Sequence, residues 1–358
     1  ENLLGFLFMA PFSQELEPPQ NSVRFIERCA GVVNMENSDA LGMDDSPEVI
    51  AIDAAVSSLR TYFSKRPEMH CYLVVDPSQR DFTNDDEEAQ RFRQLKRAIV
   101  EVMHDAFPDN HRPYLVELDL NTPEGAGAFA ESVRIAFEDR RPMSMAEGLG
   151  QRVGGWLASD ASLDEVAEHW GRHVLQYNEE GLPCVLRFYD TRALSLIWPV
   201  LSQEQQQTLL GPVKVWHALD ASAKPRTYSV LAGSRADLSL TTEQWQQIHR
   251  HGSVNRALAL YAMKVDRQPE PSEIAAAVAA AERAEHYGLF DRDDRVAFVE
   301  SALAWHPQFD LHPKVLQLLG ARAPDKFYTA AVSVLTEQDI VEIRDGAWYE
   351  RLSASSPR

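Results

Sequence analysis

The sequence predicts an α/β fold, with a mixed, partly parallel sheet flanked by helices, followed by a smaller all-helical C-terminal lobe. Three observations carry this prediction. From Ser46 to Leu219 short β-rich runs alternate with segments of helical period, the pattern of strands joined through crossover helices. After Gly211 two strand-like runs follow one another directly, so part of the sheet should pair antiparallel. From about Ala236 the strand-like runs stop, and every later segment reads as a capped helix. These shifts divide the chain into an N-terminal arm or extension (1–45), an α/β lobe (46–235) and a helical lobe (236–358).

The arm is turn-rich, with "ELEPPQN" and "NMENSDALGMDDSP" around one short amphipathic piece, "SVRFIERCAGVV". Its opening, "ENLLGFLFMAPF", is too short to span a bilayer, which takes ~20 apolar residues, and it lacks the basic segment of a signal peptide. Such an apolar start needs a surface to cover, so the arm is expected to pack on the α/β lobe or on a partner.

Ser46 and Pro47 then supply an N-cap and a first-turn proline, and Val49, Ile52, Val56, Leu59 and Phe63 recur at helical spacing. "HCYLVVD" (70–76) is the first strand, Phe92, Leu95, Ile99 and Met103 mark a second helix, and "PYLVELDL" (113–120) is the next strand. Thr122 caps a helix that has Pro123 at its first position. The glycines of "EGLGQRVGG" (147–155) miss the dinucleotide-binding spacing and read as a turn leading into "WLAS". "SLDE" (Ser162 to Glu165) is a capping box for a helix that turns Leu163, Val166, Trp170 and Val174 inward. "PCVLRFYD" is a further strand, followed by a helix over 191–201. "SQEQ" (Ser202 to Gln205) starts a short helix that Gly211 and Pro212 end, and "PVKVWHAL" and "RTYSVL" complete the strands. The helical lobe reads as "LTTEQWQQIHRHG", "SEIAAAVAAAERAEHYG", "DDRVAFVESALAW", "HPKVLQLLG" and "DKFYTAAVSVL", without a fixed-period repeat.

Composition limits the function classes. The chain has 35 basic and 54 acidic residues and a net charge of −19, so nucleic-acid binding through counterion release is not expected. Acidic surface suits solubility, and it also attracts basic partner segments. Cys29, Cys71 and Cys184 form neither a disulfide framework nor a metal knuckle, which suits a reducing cytoplasm. The G-x-S-x-G, Walker A and H-E-x-x-H motifs are missing. His169 and His173 share a helix face, but neither a third histidine nor a carboxylate is placed to complete a metal site. "DRDDR" lacks the glycine and terminal glutamate of a calcium loop, and Asp291 reads instead as a helix N-cap. His249 and His251 read as a solvated helix end. Neither a cofactor, a metal, a catalytic residue nor membrane insertion is expected.

The strongest constellation is "RFYDTRAL". In strand alternation Val185, Arg187 and Tyr189 share one face, and Leu186 and Phe188 the other. Asp190 falls where the strand gives way to a helix, a natural N-cap. Arg192 falls in the first helical turn, where the dipole disfavours a cation, so an anionic partner such as Asp190 or Asp76 is expected beside it. With neither a nucleophile nor a phosphate loop nearby, Arg187, Asp190 and Arg192 are expected to form a buried structural joint.

"VLRFYDTRAL", followed about twenty residues later by "LLGPVKVW" (209–216), resembles the central signature of the type VI secretion effector-adaptor family. These are the Tap or TEC chaperones, built on a domain long catalogued as of unknown function. Arg187, Phe188, Tyr189, Asp190, Arg192, Gly211, Pro212 and Trp216 carry the resemblance, and "HCYLVVD", "RPYLVEL" and "WLASDASLDEVAEHW" follow the family's order upstream. With the helical segments it covers about residues 50 to 345. Thr191 departs from the family's usual proline, and "TLLGPV" from its usual aromatic before the glycine. The resemblance implies a non-enzymatic cytoplasmic adaptor that holds a toxic effector and helps load it onto the VgrG spike. Two other classes stand beside it: an immunity protein that occludes a toxin, and a hydrolase or transferase using Arg187 and Asp190. Grooves are frequent where lobes meet, here near "SVLAGSRADLSLTTEQW", so the partner is expected there, anchored by surface-exposed members of Trp216, Tyr228 and Trp245.

Overall fold

Ser46 accepts a hydrogen bond from the Val49 amide and starts α1 (Pro47–Ser64), which buries Ala55, Leu59 and Phe63 against the first strand of the sheet. The computed structural model describes residues 46–82, 92–230, 237–323 and 326–355, so the arm and Cys29 lie outside the described residues. The strands are β1 (His70–Val75), β2 (Arg97–Ile99), β3 (Tyr114–Leu118), β4 (Val153–Ser159), β5 (Leu175–Tyr177), β6 (Pro183–Val185), β7 (Val213–Leu219) and β8 (Pro225–Tyr228). Helices α2 (Pro123–Asp139), α3 (Pro142–Ala146), α4 (Leu163–Val174), α5 (Thr191–Ile197) and α6 (Gln203–Leu210) lie between them. Six strands form one sheet in the order β2-β3-β1-β4-β7-β8, and β5 and β6 pair as a separate ribbon.

Every pairing among the described strands is antiparallel, which corrects the expectation of a partly parallel sheet. Strands and helices do alternate, but alternation does not decide which strands become neighbours. Helix α2 carries the chain from β3 to β4 in the same direction, yet β1 lies between the two strands and pairs antiparallel with both. Leu73 therefore faces Val116 on one side and Trp156 on the other.

Strand alternation divides the sheet's side chains between two cores. Cys71, Leu73, Val75, Val116 and Trp156 pack under α1 and α2. Tyr72, Val74, Leu115, Leu157 and Trp216 pack on the opposite face with Trp170 of α4, Phe188 and α6. Burial pushes the Cys71 thiol well above its ordinary range, so it stays an inert core thiol.

Two further expectations fail locally. The stretch from Phe92 to Met103 is not one helix, because Arg97–Ile99 pairs with β3, leaving Ile99 and Met103 exposed. Pairing with β3 outweighs a weak helical spacing. The glycine run 147–155 leads not merely into a turn but into β4, a fully buried strand at the centre of the sheet. Gly154 is required there: a Cβ would lie 2.3 Å from the Tyr189 carbonyl oxygen and 2.5 Å from Val74. Gly155 has φ +107°, and a Cβ would lie 2.3 Å from the His217 carbonyl oxygen. Gly154→Ala is expected to cost roughly 1–3 kcal/mol of stability by overpacking. Gly127→Ala, in open space within α2, should be neutral or stabilising by up to about 1 kcal/mol. Urea unfolding of the two variants side by side checks both signs.

The helical lobe contains α7 (Thr242–Val265), α8 (Pro271–His286), α9 (Arg292–Ala304), α10 (Pro313–Ala321), α11 (Tyr328–Val332), α12 (Glu337–Asp345) and α13 (Ala347–Ser355). Asp291 caps α9 by accepting from the Asp293 and Asp294 amides, as its position implied. Helix α7 does not end at Gly252 but runs through it, so His251 is a buried mid-helix residue and not a solvated end. Packing of α7 against α3, α5, α8 and α9 overrides a helical glycine's cost of ~1 kcal/mol. The boundary near 235 falls on residues outside those described. Either side of it the lobes are interlocked: Leu194 and Ile197 of α5 belong to the sheet core, whereas Leu196 joins the helical core.

Candidate functional site

The residues of "RFYDTR" form a buried polar joint where the chain leaves the β5–β6 ribbon, crosses β4 and enters α5. Strand β6 stops at Val185, earlier than the eight-residue strand expected, so Arg187 and Tyr189 are not placed by strand alternation. A turn from Leu186 to Asp190 replaces it, in which the Phe188 amide bonds the Leu186 carbonyl and the Asp190 amide the Arg187 carbonyl. The close approach of Tyr189 to Gly154 seats this turn on the centre of the sheet.

Asp190 is the N-cap of α5, as expected, and it also holds Arg192. Its Oδ1 accepts from the Arg192 backbone amide at 2.9 Å and from Nε at 3.1 Å, and its Oδ2 accepts from Nη2 at 2.7 Å. Arg187 pairs elsewhere. Its guanidinium ion-pairs with Asp76, just beyond β1, and donates to Ser78 Oγ at 2.8 Å. Thus Asp76, considered as a partner for Arg192, serves Arg187 instead. Burial opposes charge on Arg187, but Asp76 outweighs it and holds the proton more firmly than in water.

A third arginine completes the layer, and sequence reasoning missed it. Arg140, just past α2, is fully buried, and the carbonyl oxygens of Gln151 and Asp220 receive its N–H groups, Gln151 at 2.8 and 3.0 Å. Burial, with Arg192 nearby, pushes its guanidinium down to about 10. Gln151 also bonds the Thr191 hydroxyl, which gives the first residue of α5 a specific polar partner. Nearby, Asp139 at the end of α2 takes both Arg80 and Arg152. "RRP" at 140–142 carries no signal in sequence that distinguishes a buried arginine from a surface one.

The layer has a defined acid response. Burial raises the Asp190 pKa, but Arg192's charge and hydrogen bonds, and Arg187, hold the carboxyl far below its ordinary 3.8. A depressed folded-state pKa means that the contribution is complete above about pH 4 and is lost as pH falls below it. Asp190→Asn keeps an N-cap but removes the charge. It should destabilise at neutral pH and flatten the loss that sets in near pH 4 and continues as pH falls toward the folded-state pKa, as read by urea unfolding at each pH.

Gly211 and Pro212 lie at the end of α6, away from this layer. Gly211 takes φ +57° and ψ −114°, and a Cβ there would lie 2.0 Å from His169 Nε2. His169 is buried with that nitrogen 2.8 Å from the Thr208 carbonyl oxygen, so it closes the α4–α6 contact. Burial lowers the pKa of His173, whose ring meets that of His169 edge-on. The described residues contain no cluster of three or more side chains suited to a metal ion.

The expected surface anchors are not on the surface. Trp216 is 0%, Tyr228 1% and Trp245 2% exposed, and the first two sit among Trp170, Phe188 and Trp198. Aromatic residues at β7 and β8 face the larger core because Trp216 and Tyr228 are register partners. Of the expected junction, residues 231–236 lie outside the described residues; beside it Ile248 reaches into the sheet core, and Arg256 of α7 donates to the Ala146 carbonyl at 2.6 Å.

Residues 71–208 match a family model described as Domain of unknown function (DUF4123). The matched span runs from β1 to α6 and holds the Arg187–Asp76 and Arg192–Asp190 pairs, whereas Gly211, Pro212 and Trp216 fall just past its end. No curated protein and no solved structure matches the chain. Among the described residues no helix is long and apolar enough to cross a membrane.

Proposed function

We propose that this chain is a non-enzymatic cytoplasmic adaptor that binds a type VI secretion effector and helps load it onto the VgrG spike. The observation that carries the reading is the DUF4123 match over residues 71–208, which encloses the "RFYDTR" signature behind the resemblance to effector adaptors. The geometry of that signature supports it: Arg187 is held by Asp76 and Ser78 just beyond β1, and Arg192 by Asp190 at the start of α5. The residues then matter because they build a scaffold, and partner recognition belongs to the surface around it.

The test is co-expression of the tagged chain with an effector and a VgrG protein encoded beside it. An adaptor should retain both, an immunity protein should retain a toxin domain alone, and an enzyme should retain neither. Capture of the toxin with blocking of its activity, and without VgrG, would replace the adaptor reading with the immunity reading.

A further inference from the structure

We propose that a cleft at the end of the sheet, where β1 begins and β3 ends, takes an acidic, partly apolar peptide segment of the partner protein. The inference rests on the adaptor reading, to which it adds the chemistry of the segment held. The cleft has a volume of about 900 Å³ and lies between the last turn of α1, residues 94–96 and the loop 119–122 that leads into α2. Phe63, Met69, Leu118 and Leu120 supply apolar wall.

Its charges run against those of the whole chain. Arg60, Arg66 and Lys96 line it, together with Glu117, Asp119 and His70. Both acids are already engaged. Glu117 lies 3.4 Å from Lys96 and 3.3 Å from His70, and Asp119 Oδ1 accepts from the Asn121 backbone and side-chain N–H groups at 3.0 and 3.2 Å. The hydrogen bonds of the two arginines go to neutral groups: Arg60 donates to the Ala126 carbonyl at 3.0 Å, and Arg66 donates to the Tyr62 carbonyl at 3.2 Å and lies 4.0 Å over a ring that also feels Glu68. Among the described residues neither has a carboxylate within ion-pair distance, so their guanidinium charges face the cleft without a paired anion.

Two guanidiniums beside apolar wall fit a carboxylate-bearing segment with aliphatic neighbours, because a guanidinium pairs with carboxylate through paired N–H bonds. The net charge of −19 sharpens this placement: an acidic segment is repelled over most of the surface and attracted here. This reverses the basic partner that net charge alone suggests.

The probes are three fluorescent peptides of about twelve residues with identical leucine positions and Glu, Gln or Lys at the polar ones. Anisotropy is read on the full chain at about 50 and 500 mM salt, which brackets strong and weak screening. The Glu peptide should bind roughly tenfold more tightly than the Gln peptide at low salt and lose most of that margin at high salt. The Lys peptide should be weakest. Arg60→Ala/Arg66→Ala should abolish the margin with an unchanged melting curve, and Arg172→Ala, outside the cleft, should leave it intact. Equal binding of all three peptides, or a margin that survives in the double variant, overturns the proposal. Stronger competition by a synthetic peptide of residues 11–22 would assign the cleft to this chain's own segment. Self-association lost in the double variant would assign it to a second copy. Either result overturns the proposal. Partner co-purification unaffected in the double variant, with no peptide margin, removes this inference alone. Lack of partner capture by the wild-type chain, with the margin intact, removes the adaptor reading and upholds the chemistry of the cleft.

Discussion

Asp76→Ala is expected to cost ~3–5 kcal/mol of folding stability, the range for removing one partner of a buried ion pair. The size follows from what is left behind. Arg187 is 7% exposed, and without Asp76 its nearest remaining acceptor is the Ser78 hydroxyl. A buried guanidinium cannot relieve this by losing its proton. The pair also spans 111 positions of sequence, so its loss loosens the RFYDTR turn from the end of β1. Urea unfolding of Asp76→Leu, Arg187→Met and Asp76→Leu/Arg187→Met closes a double-mutant cycle beside Asp76→Ala. The double variant should recover a large part of the loss, since an apolar pair can replace a buried ion pair at little cost. A melting curve for Asp76→Ala that overlays the wild type would show the joint to be dispensable. Loss of partner binding at unchanged stability would move Asp76 and Arg187 from the scaffold to the interface.

Trp216→Ala should destabilise by a similar ~3–5 kcal/mol, the usual cost of truncating a large buried aromatic. The indole touches three others: its ring centroid lies 4.8 Å from Trp170, 6.4 Å from Phe188 and 6.3 Å from Tyr228. Its Nε1 also donates to the Gly154 carbonyl at 2.9 Å, so the tryptophan ties β7 to the glycine pair of β4. Trp216→Phe keeps much of the packing but leaves that carbonyl without its donor, and its loss should be smaller by about half. Thermal melting beside partner pull-down separates the roles. Reduced melting temperature with proportionate loss of binding marks a core residue. Unchanged melting with lost binding would restore the anchor role.

What the sequence determined by itself is what a few adjacent residues can specify. Ser46, Thr122, Ser162, Ser202 and Asp291 each bond an amide two or three positions on, and their helices begin where those side chains put them. Asp190 belongs with them, so its cap on α5 was legible, and of the two acids open as partners for Arg192 the structure selects Asp190, two residues away. The continuous β-rich run "HCYLVV" likewise marked β1, whose five consecutive apolar residues are buried on both faces of the sheet. The tertiary structure decided the rest. Strand direction was not legible: the insertion of β1 between β3 and β4 depends on contacts some forty and eighty residues away, and it made the sheet antiparallel where a partly parallel one was expected. Strand β4 was hidden because its two glycines look like a turn until Tyr189 and His217 approach from distant segments and exclude a Cβ. Arg187 chose Asp76, and Arg140 became buried against Gln151, for the same reason. Local hydrogen bonds and periodicity are written in neighbouring residues, whereas burial and pairing depend on which distant surfaces the whole chain brings together.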